Sequence, residues 1–156
     1  MTNKFFKTET ITENDLFFVC YMIERVARKL HQPNKYVVDG LGYDELYRQL
    51  SLAPVLHSEN PLKVENEWIE ENHLAGGDFD VTKVRNDLDV HVPSATQMGK
   101  VYKRLIMSTM SKGDDWVQAL VKVYSSPICK TLDNYNTSAF YEPAPVIARA
   151  YATGAF

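Results

Sequence analysis

The sequence predicts an all-α fold: a compact bundle of about seven to nine short and medium helices in two lobes, with one extended connection near 79–92. Three observations predict it. Apolar residues recur at helical spacing over most of the chain, and cap and stop residues divide those stretches at ordinary helix lengths. The alternation that marks a strand occurs in one place only. The lobes divide at Gly76-Gly77, into an acidic N-terminal lobe (1–77) and a C-terminal lobe (78–156) that share one core.

The first twelve residues read as extended or frayed, tacked to the body by Phe5, Phe6 and Ile11. Thr12 then serves as a helix N-cap, with Glu13 and Asp15 in the first turn, where negative charge meets the positive end of the helix dipole. Leu16, Val19, Cys20, Ile23, Val26, Ala27 and Leu30 form an i, i+3, i+4, i+7 stripe, which Pro33 ends. Asn34 is expected to cap a short helix to Leu41, stopped at Gly42, and a second helix runs from Tyr43 towards Leu50. Pro54 interrupts 51–57, leaving a turn or a short helix. Asn60-Pro61 sets a cap before a proline at the first helical position. The helix it opens is expected to bury Trp68 and to expose Glu65, Glu67, Glu70 and Glu71.

Leu88-Asp89-Val90-His91-Val92 alternates and could be one isolated strand, although a lone strand makes no sheet. Ser94 with Gln97 three residues on is a capping-box pattern, opening a helix through Met98, Val101, Tyr102, Leu105 and Ile106 towards Lys112-Gly113. Asp114 to Ser125 is apolar on nearly every side, Trp116 included, so it is expected to be central and Trp116 buried. Ser126-Pro127 repeats the cap-then-proline start. After a turn-rich stretch, Pro143 or Pro145 opens a last helix to Tyr151.

Hydrophobic residues make up 45% of the 156, enough for a packed core, and a net charge of -3 excludes a surface uniformly attractive to nucleic acid or anionic lipid. The charge is uneven: residues 1–77 hold 12 acidic and 8 basic side chains, the remainder 8 and 9. No apolar run has the length of a signal peptide or a membrane span, so the expectation is a cytoplasmic protein without a membrane partner. Cys20 and Cys129, both in apolar helical patterns, read as buried, reduced thiols.

The sequence carries no nucleophile elbow, phosphate-binding glycine loop or Cys-x-x-Cys, and His31, His57, His73 and His91 are scattered. Glu67-x-x-Glu70-x-x-His73 includes one Glu-x-x-His spacing, whereas a di-iron bundle needs two with further glutamates. No metal, cofactor or catalytic residue is therefore expected. Lys100, Lys103 and Arg104 make a basic patch of the kind a DNA-reading helix would carry. Asn134, Asn136 and Tyr141 are candidates for a pocket within the polar stretch Asp133 to Glu142, though Asp and Asn are also what turns require. His57 is read as structural, its ring bonding the start of the helix at Asn60.

The order of elements in the first half resembles a known family. It runs from a long helix with Phe17-Phe18-Val19 and Met22-Ile23-Glu24, through a short helix from Lys35 to Leu41 and a Tyr/Leu-rich helix, to a Leu56-His57-Ser58 turn and an acidic helix through Glu71. This resembles a family of small bacterial and mobile-element helical proteins often encoded beside ADP-ribosyltransferase-like toxins; Pro54 departs from its pattern. The resemblance implies an accessory or antitoxin-like role and no particular chemistry. The leading expectation is a protein–protein interaction module for a basic effector, met by Glu67, Glu70 and Glu71. The alternatives are a nucleic-acid-binding regulator using the Lys100/Lys103/Arg104 helix, and a small enzyme with a site around His57 or Asp133–Glu142.

Overall fold

The computed structural model describes residues 1–88 and 90–156. Among the described residues the fold is all-helical: α1 (Glu13–Leu30), α2 (Asn34–Leu56), α3 (Pro61–Glu71), α4 (Ala95–Thr109), α5 (Trp116–Tyr124), α6 (Cys129–Leu132) and α7 (Ala144–Thr153). Two single 3₁₀ turns, Asn86–Leu88 and Ala139–Tyr141, lie in the connections.

Helix α1 is the axis of the fold, packing against α2, α3 and α4. It starts where the local chemistry directs. Thr12 caps the Asp15 amide while the Asp15 carboxylate accepts from the Thr12 amide at 2.8 Å, a closed capping box. Its stripe of Leu16, Val19, Cys20, Ile23 and Val26 is fully buried. Helix α4 lies tight against α1 at Gly99, where an added Cβ would stand 3.1 Å from both the Tyr21 backbone and the Phe17 ring. Buried side chains from every helix join in one hydrophobic cluster.

Helix α2 has the expected break at Gly42 but runs on past Leu50, through Pro54, to Leu56. The break at Gly42 is a single residue with φ 76° and ψ 174°, a conformation that favours glycine, and helix resumes at once on its far side. Pro54 lies within the last turn, where it removes only the amide that would serve Leu50, and its exposed ring meets solvent. Asn34 does not cap this helix. Pro33 occupies that position without a side-chain bond, and the Asn34 amide is turned inward.

Asn60 caps α3 through the Leu62 amide at 3.0 Å, and Trp68 is buried with its indole N–H on Gln49 at 3.0 Å. Glu65, expected on the exposed face, is buried at 3% exposure and ion-paired to Arg25 and, at 3.5 Å, to Lys29. Trp116 is only half-buried, because it sits in the first turn of α5 just after the Asp115 cap. Ser94 caps the Gln97 amide at 3.0 Å, while Gln97 itself lines a groove beside α7. Helix α4 stops at Thr109, short of the expected Lys112-Gly113.

The connection from Phe79 to Val92 contains no strand among the described residues. It is tied to the end of α1 by bonds from the Gly77 and Phe79 amides to the Leu30 and His31 carbonyls, at 2.8 and 2.9 Å. The expected alternation over Leu88–Val92 includes Asp89, which lies outside the described residues; Leu88 ends a 3₁₀ turn. The first twelve residues are held rather than frayed. The Met1 amino group and the Ile11 amide exchange bonds of 2.9 Å with each other's carbonyls, and Thr2 pairs with Thr10 in an isolated antiparallel bridge. Ile11 is buried, but Phe5 and Phe6 stay exposed.

Candidate functional site

Two features concentrate chemistry: a groove between α4 and α7, and a cluster of polar side chains inside the core.

The groove has a volume of about 240 Å³. Val101, Leu105, Phe140 and Ile147 give it an apolar lining, and Lys100 and Arg104, one helical turn apart on α4, bring two positive charges to it. Both cations are exposed, and neither has a salt-bridge partner within 4.0 Å among the described residues. Tyr141 lies at the side of the groove with 58% of its surface open, its ring tilted 36° against Phe140 at 4.3 Å between centroids. Glu142, the acidic member of the lining, stands next to it. Lys103, grouped with Lys100 and Arg104 by sequence, faces α1 instead: its amine is 3.9 Å from Glu13.

The internal cluster was not visible in the sequence as a unit. Glu24 is 2% exposed. Its Oε1 accepts from Arg28 Nη2 at 2.9 Å and from the Tyr135 hydroxyl, and its Oε2 accepts from Asn34 Nδ2 at 2.7 Å. Asn34 Nδ2 also reaches Asp133 Oδ2 at 3.3 Å, and the Tyr102 hydroxyl donates to Asp133 Oδ1 at 2.6 Å. Arg28 Nη2 makes a further bond of 2.8 Å to the Pro93 carbonyl. Asp133 is half-buried as a residue, but burial of its carboxyl and then the charge of Glu24 push its pKa well above the usual carboxylate range. One guanidinium thus faces two carboxyl groups, and burial beside the Glu24 charge favours the protonated form of Asp133. A signal for part of this was present: Glu24 and Arg28 lie at i, i+4 spacing beside the apolar stripe of α1. Nothing in the sequence linked them to Tyr135, more than a hundred residues away.

This cluster ties α1, α2, α4 and the turn after α6 together, and its Asp133 and Tyr135 edge also lines a cavity of about 250 Å³. Every donor and acceptor buried in it has a partner. The thiols are inert: burial pushes Cys20 and Cys129 up to about 12, so neither ionises near neutrality. Cys129 is half-buried, less enclosed than its apolar pattern indicated.

Of the remaining expected site residues, Asn134 and Asn136 join Asp133 and Tyr135 on that cavity, beneath the 79–83 connection, whereas His57 and the α3 glutamates stand apart. His57 caps the end of α2 with its ring 4.3 Å from that of Phe18, and no side-chain hydrogen bond joins it to the Asn60 turn among the described residues. Asn134 Oδ1 accepts from the Asn136 amide at 3.1 Å and Asn136 Oδ1 from the Arg85 amide at 2.8 Å, so both serve the turn beneath the 79–85 connection. Tyr141 belongs to the α4–α7 groove. On α3, Glu67 lies 4.0 Å from Lys63 and Glu71 lies 3.4 Å from Arg48, with Glu70 exposed beside them. Among the described residues no three His, Cys, Asp or Glu side chains are placed to hold a metal ion, and no helix is long and apolar enough to cross a membrane.

Comparison with known proteins adds no relative: no protein-family model, curated protein or solved structure matches the chain.

Proposed function

We propose that this chain is a protein–protein interaction module whose α4–α7 groove receives an acidic, apolar segment of a protein partner. The observation that carries this reading is the pair Lys100 and Arg104 beside an apolar lining, uncompensated by any salt bridge among the described residues. Two like charges one turn apart disfavour each other by a few tenths of a kcal/mol, a penalty that a bridging carboxylate relieves. Exposed Tyr141 supplies a large, amphipathic contact of the type enriched in interfaces. The resemblance of the first half to a toxin-associated bacterial family agrees with an accessory or antitoxin-like role for such a module.

The nucleic-acid reading has less support from the same helix, because Lys103 turns away towards Glu13 and Glu142 adds negative charge to the groove. The acidic face of α3 is also weaker support for a docking surface, since Lys63 and Arg48 already offset Glu67 and Glu71.

Selection of displayed peptides on the intact protein tests the proposal. Peptides that enrich should place Asp or Glu beside Leu or an aromatic residue. They should lose more than about tenfold in affinity for Lys100→Glu/Arg104→Glu and weaken as salt rises. Peptides bound equally by both proteins would move the interface elsewhere, and single-stranded oligonucleotide binding abolished by the same pair of substitutions would favour the nucleic-acid reading.

A further inference from the structure

At the opposite end of the chain, Lys4 is surrounded by aromatic rings. Its Nζ lies 4.0 Å from the ring centroid of Tyr47, 5.1 Å from Tyr43 and 5.8 Å from Phe5. The rings are inclined to one another, with Tyr43 to Tyr47 at 53° and Phe5 to Tyr47 at 58°, so they form a concave trio rather than a stack.

The trio is preorganised. Asn3 is buried, and its side-chain oxygen accepts from the amides of Phe5 and Phe6 at 3.0 and 2.8 Å, fixing the bend that delivers Lys4 to α2. The Tyr47 hydroxyl donates to the Thr2 carbonyl at 2.6 Å and the Tyr43 hydroxyl donates to Asp115. With their hydroxyls engaged elsewhere, both tyrosines present ring faces to the ammonium. The bond to Asp115 pushes the Tyr43 pKa up to about 12, which keeps that ring a neutral phenol.

What the trio lacks is as informative. Among the described residues, Lys4 Nζ makes no hydrogen bond and no salt bridge. A primary ammonium is strongly hydrated, and pressing it against the rings costs part of that hydration because no protein acceptor here replaces it. A cation with no N–H and weak hydration would gain the ring attraction without that penalty, as in aromatic cages for methylated ammonium groups.

We propose that Phe5, Tyr43 and Tyr47 form a binding site for a quaternary ammonium group, with Lys4 as the resident stand-in that an incoming ligand displaces. The group could arrive on a free small molecule or on a trimethylated lysine side chain, and the chemistry of recognition is the same.

The test uses the full chain and the Lys4→Ala variant, which removes an exposed side chain and leaves the rings in place. Choline is titrated while the ring resonances of Tyr43 and Tyr47 are followed by NMR. Saturable shifts are expected in the variant, with binding about tenfold weaker in the wild type because Lys4 competes. The neutral isostere 3,3-dimethylbutan-1-ol should give no saturable shift in either protein. A parallel titration with Nε-trimethyl-lysine separates the two sources: tighter binding than choline points to a modified side chain, weaker binding to a free small molecule. No saturable choline shift in Lys4→Ala, or an equal response to the isostere, overturns the site. Equal choline affinity in the two proteins overturns the role of Lys4.

Discussion

Asn34 spans two buried acids with one amide nitrogen, donating to Glu24 at 2.7 Å and to Asp133 at 3.3 Å. It therefore stitches the start of α2 to both α1 and the turn after α6. Replacement by Leu keeps the approximate volume and removes the donor. Two carboxyl groups then lose a buried partner, and the expected loss of stability is about 1–3 kcal/mol. Urea denaturation of Asn34→Leu measures it, and an unchanged midpoint would mean that Arg28 and the tyrosines satisfy both acids unaided.

Asp133 gives the fold a pH dependence of known sign. Its folded pKa is raised, by burial and by Glu24, above the unfolded value of about 3.9. The folded state therefore binds more protons than the unfolded state between those two pKa values. Stability from this group is fully present below about pH 4 and is lost as pH rises towards the folded pKa. An Asn in this position is neutral at every pH and can still accept from Tyr102. Asp133→Asn should match the wild type at pH 4 and melt higher than it at pH 8. The difference between the two proteins is the quantity to follow, because other carboxylates such as Glu45, bonded by Arg48 and Gln49, shift in the opposite direction. A difference that does not grow with pH would show that Asp133 is ionised in the folded state.

What the sequence made legible follows the range of the interactions involved. Caps are local: Thr12 with Asp15, Asn60 before Pro61 and Ser94 with Gln97 each act within three residues, and each starts a helix where its spacing indicated. The Gly42 break and the helix resuming at Tyr43 were legible too, but not that this helix runs on through Pro54 to Leu56. Glu65 pairs with Arg25 across 40 residues, and Tyr135 with Glu24 across 111. No periodicity reveals pairings that only the packing of whole helices brings about. The same holds for the groove, which joined Lys100 to Tyr141 and separated Lys100 from Lys103. Lys4 gave no signal at all, since its rings come from α2 and from its own neighbour Phe5.

The two tryptophans should separate on this basis. Trp68 is 1% exposed and bonded to Gln49, so Trp68→Ala is expected to cost about 3–5 kcal/mol. Trp116 is half-buried in a first turn, and its removal should cost about 1 kcal/mol. Single-tryptophan proteins give an independent reading: emission from Trp68 should lie to the blue of that from Trp116. Coincident spectra would contradict the difference in burial.

Gly42 isolates backbone strain from packing. Its φ of 76° is unfavourable for L-residues, yet no atom lies within 4 Å of where a Cβ would stand. Gly42→Ala should thus destabilise by about 1–3 kcal/mol through conformation alone. Gly99 is the converse: its helical backbone accepts alanine, but the new methyl would press on Tyr21 and Phe17. Compensating truncation of Phe17 to Leu should recover part of the loss in Gly99→Ala and none in Gly42→Ala, as double-mutant thermal melts can establish.

The last prediction separates the glutamates of α3, which sequence placed on one exposed face. Glu65 is turned inward, with Arg25 bonded to it through Nε and Lys29 at 3.5 Å. Glu67 and Glu71 meet only exposed cations, Lys63 at 4.0 Å and Arg48 at 3.4 Å, where solvent and salt screen the attraction. Glu65→Gln keeps the shape and removes the charge, leaving Arg25 without its counterion beside the core. The expected loss is about 1–3 kcal/mol, and it should change little between low and high salt, because a buried pair is poorly screened. The triple variant Glu67→Gln/Glu70→Gln/Glu71→Gln should stay within about 0.5 kcal/mol of the wild type. Any gain from relieving repulsion among the three should fade as salt is added. Chemical denaturation at two ionic strengths distinguishes these outcomes. A triple variant that loses as much stability as Glu65→Gln would show that the outer face is a structural part of α3 and leave no charge there for a partner to read.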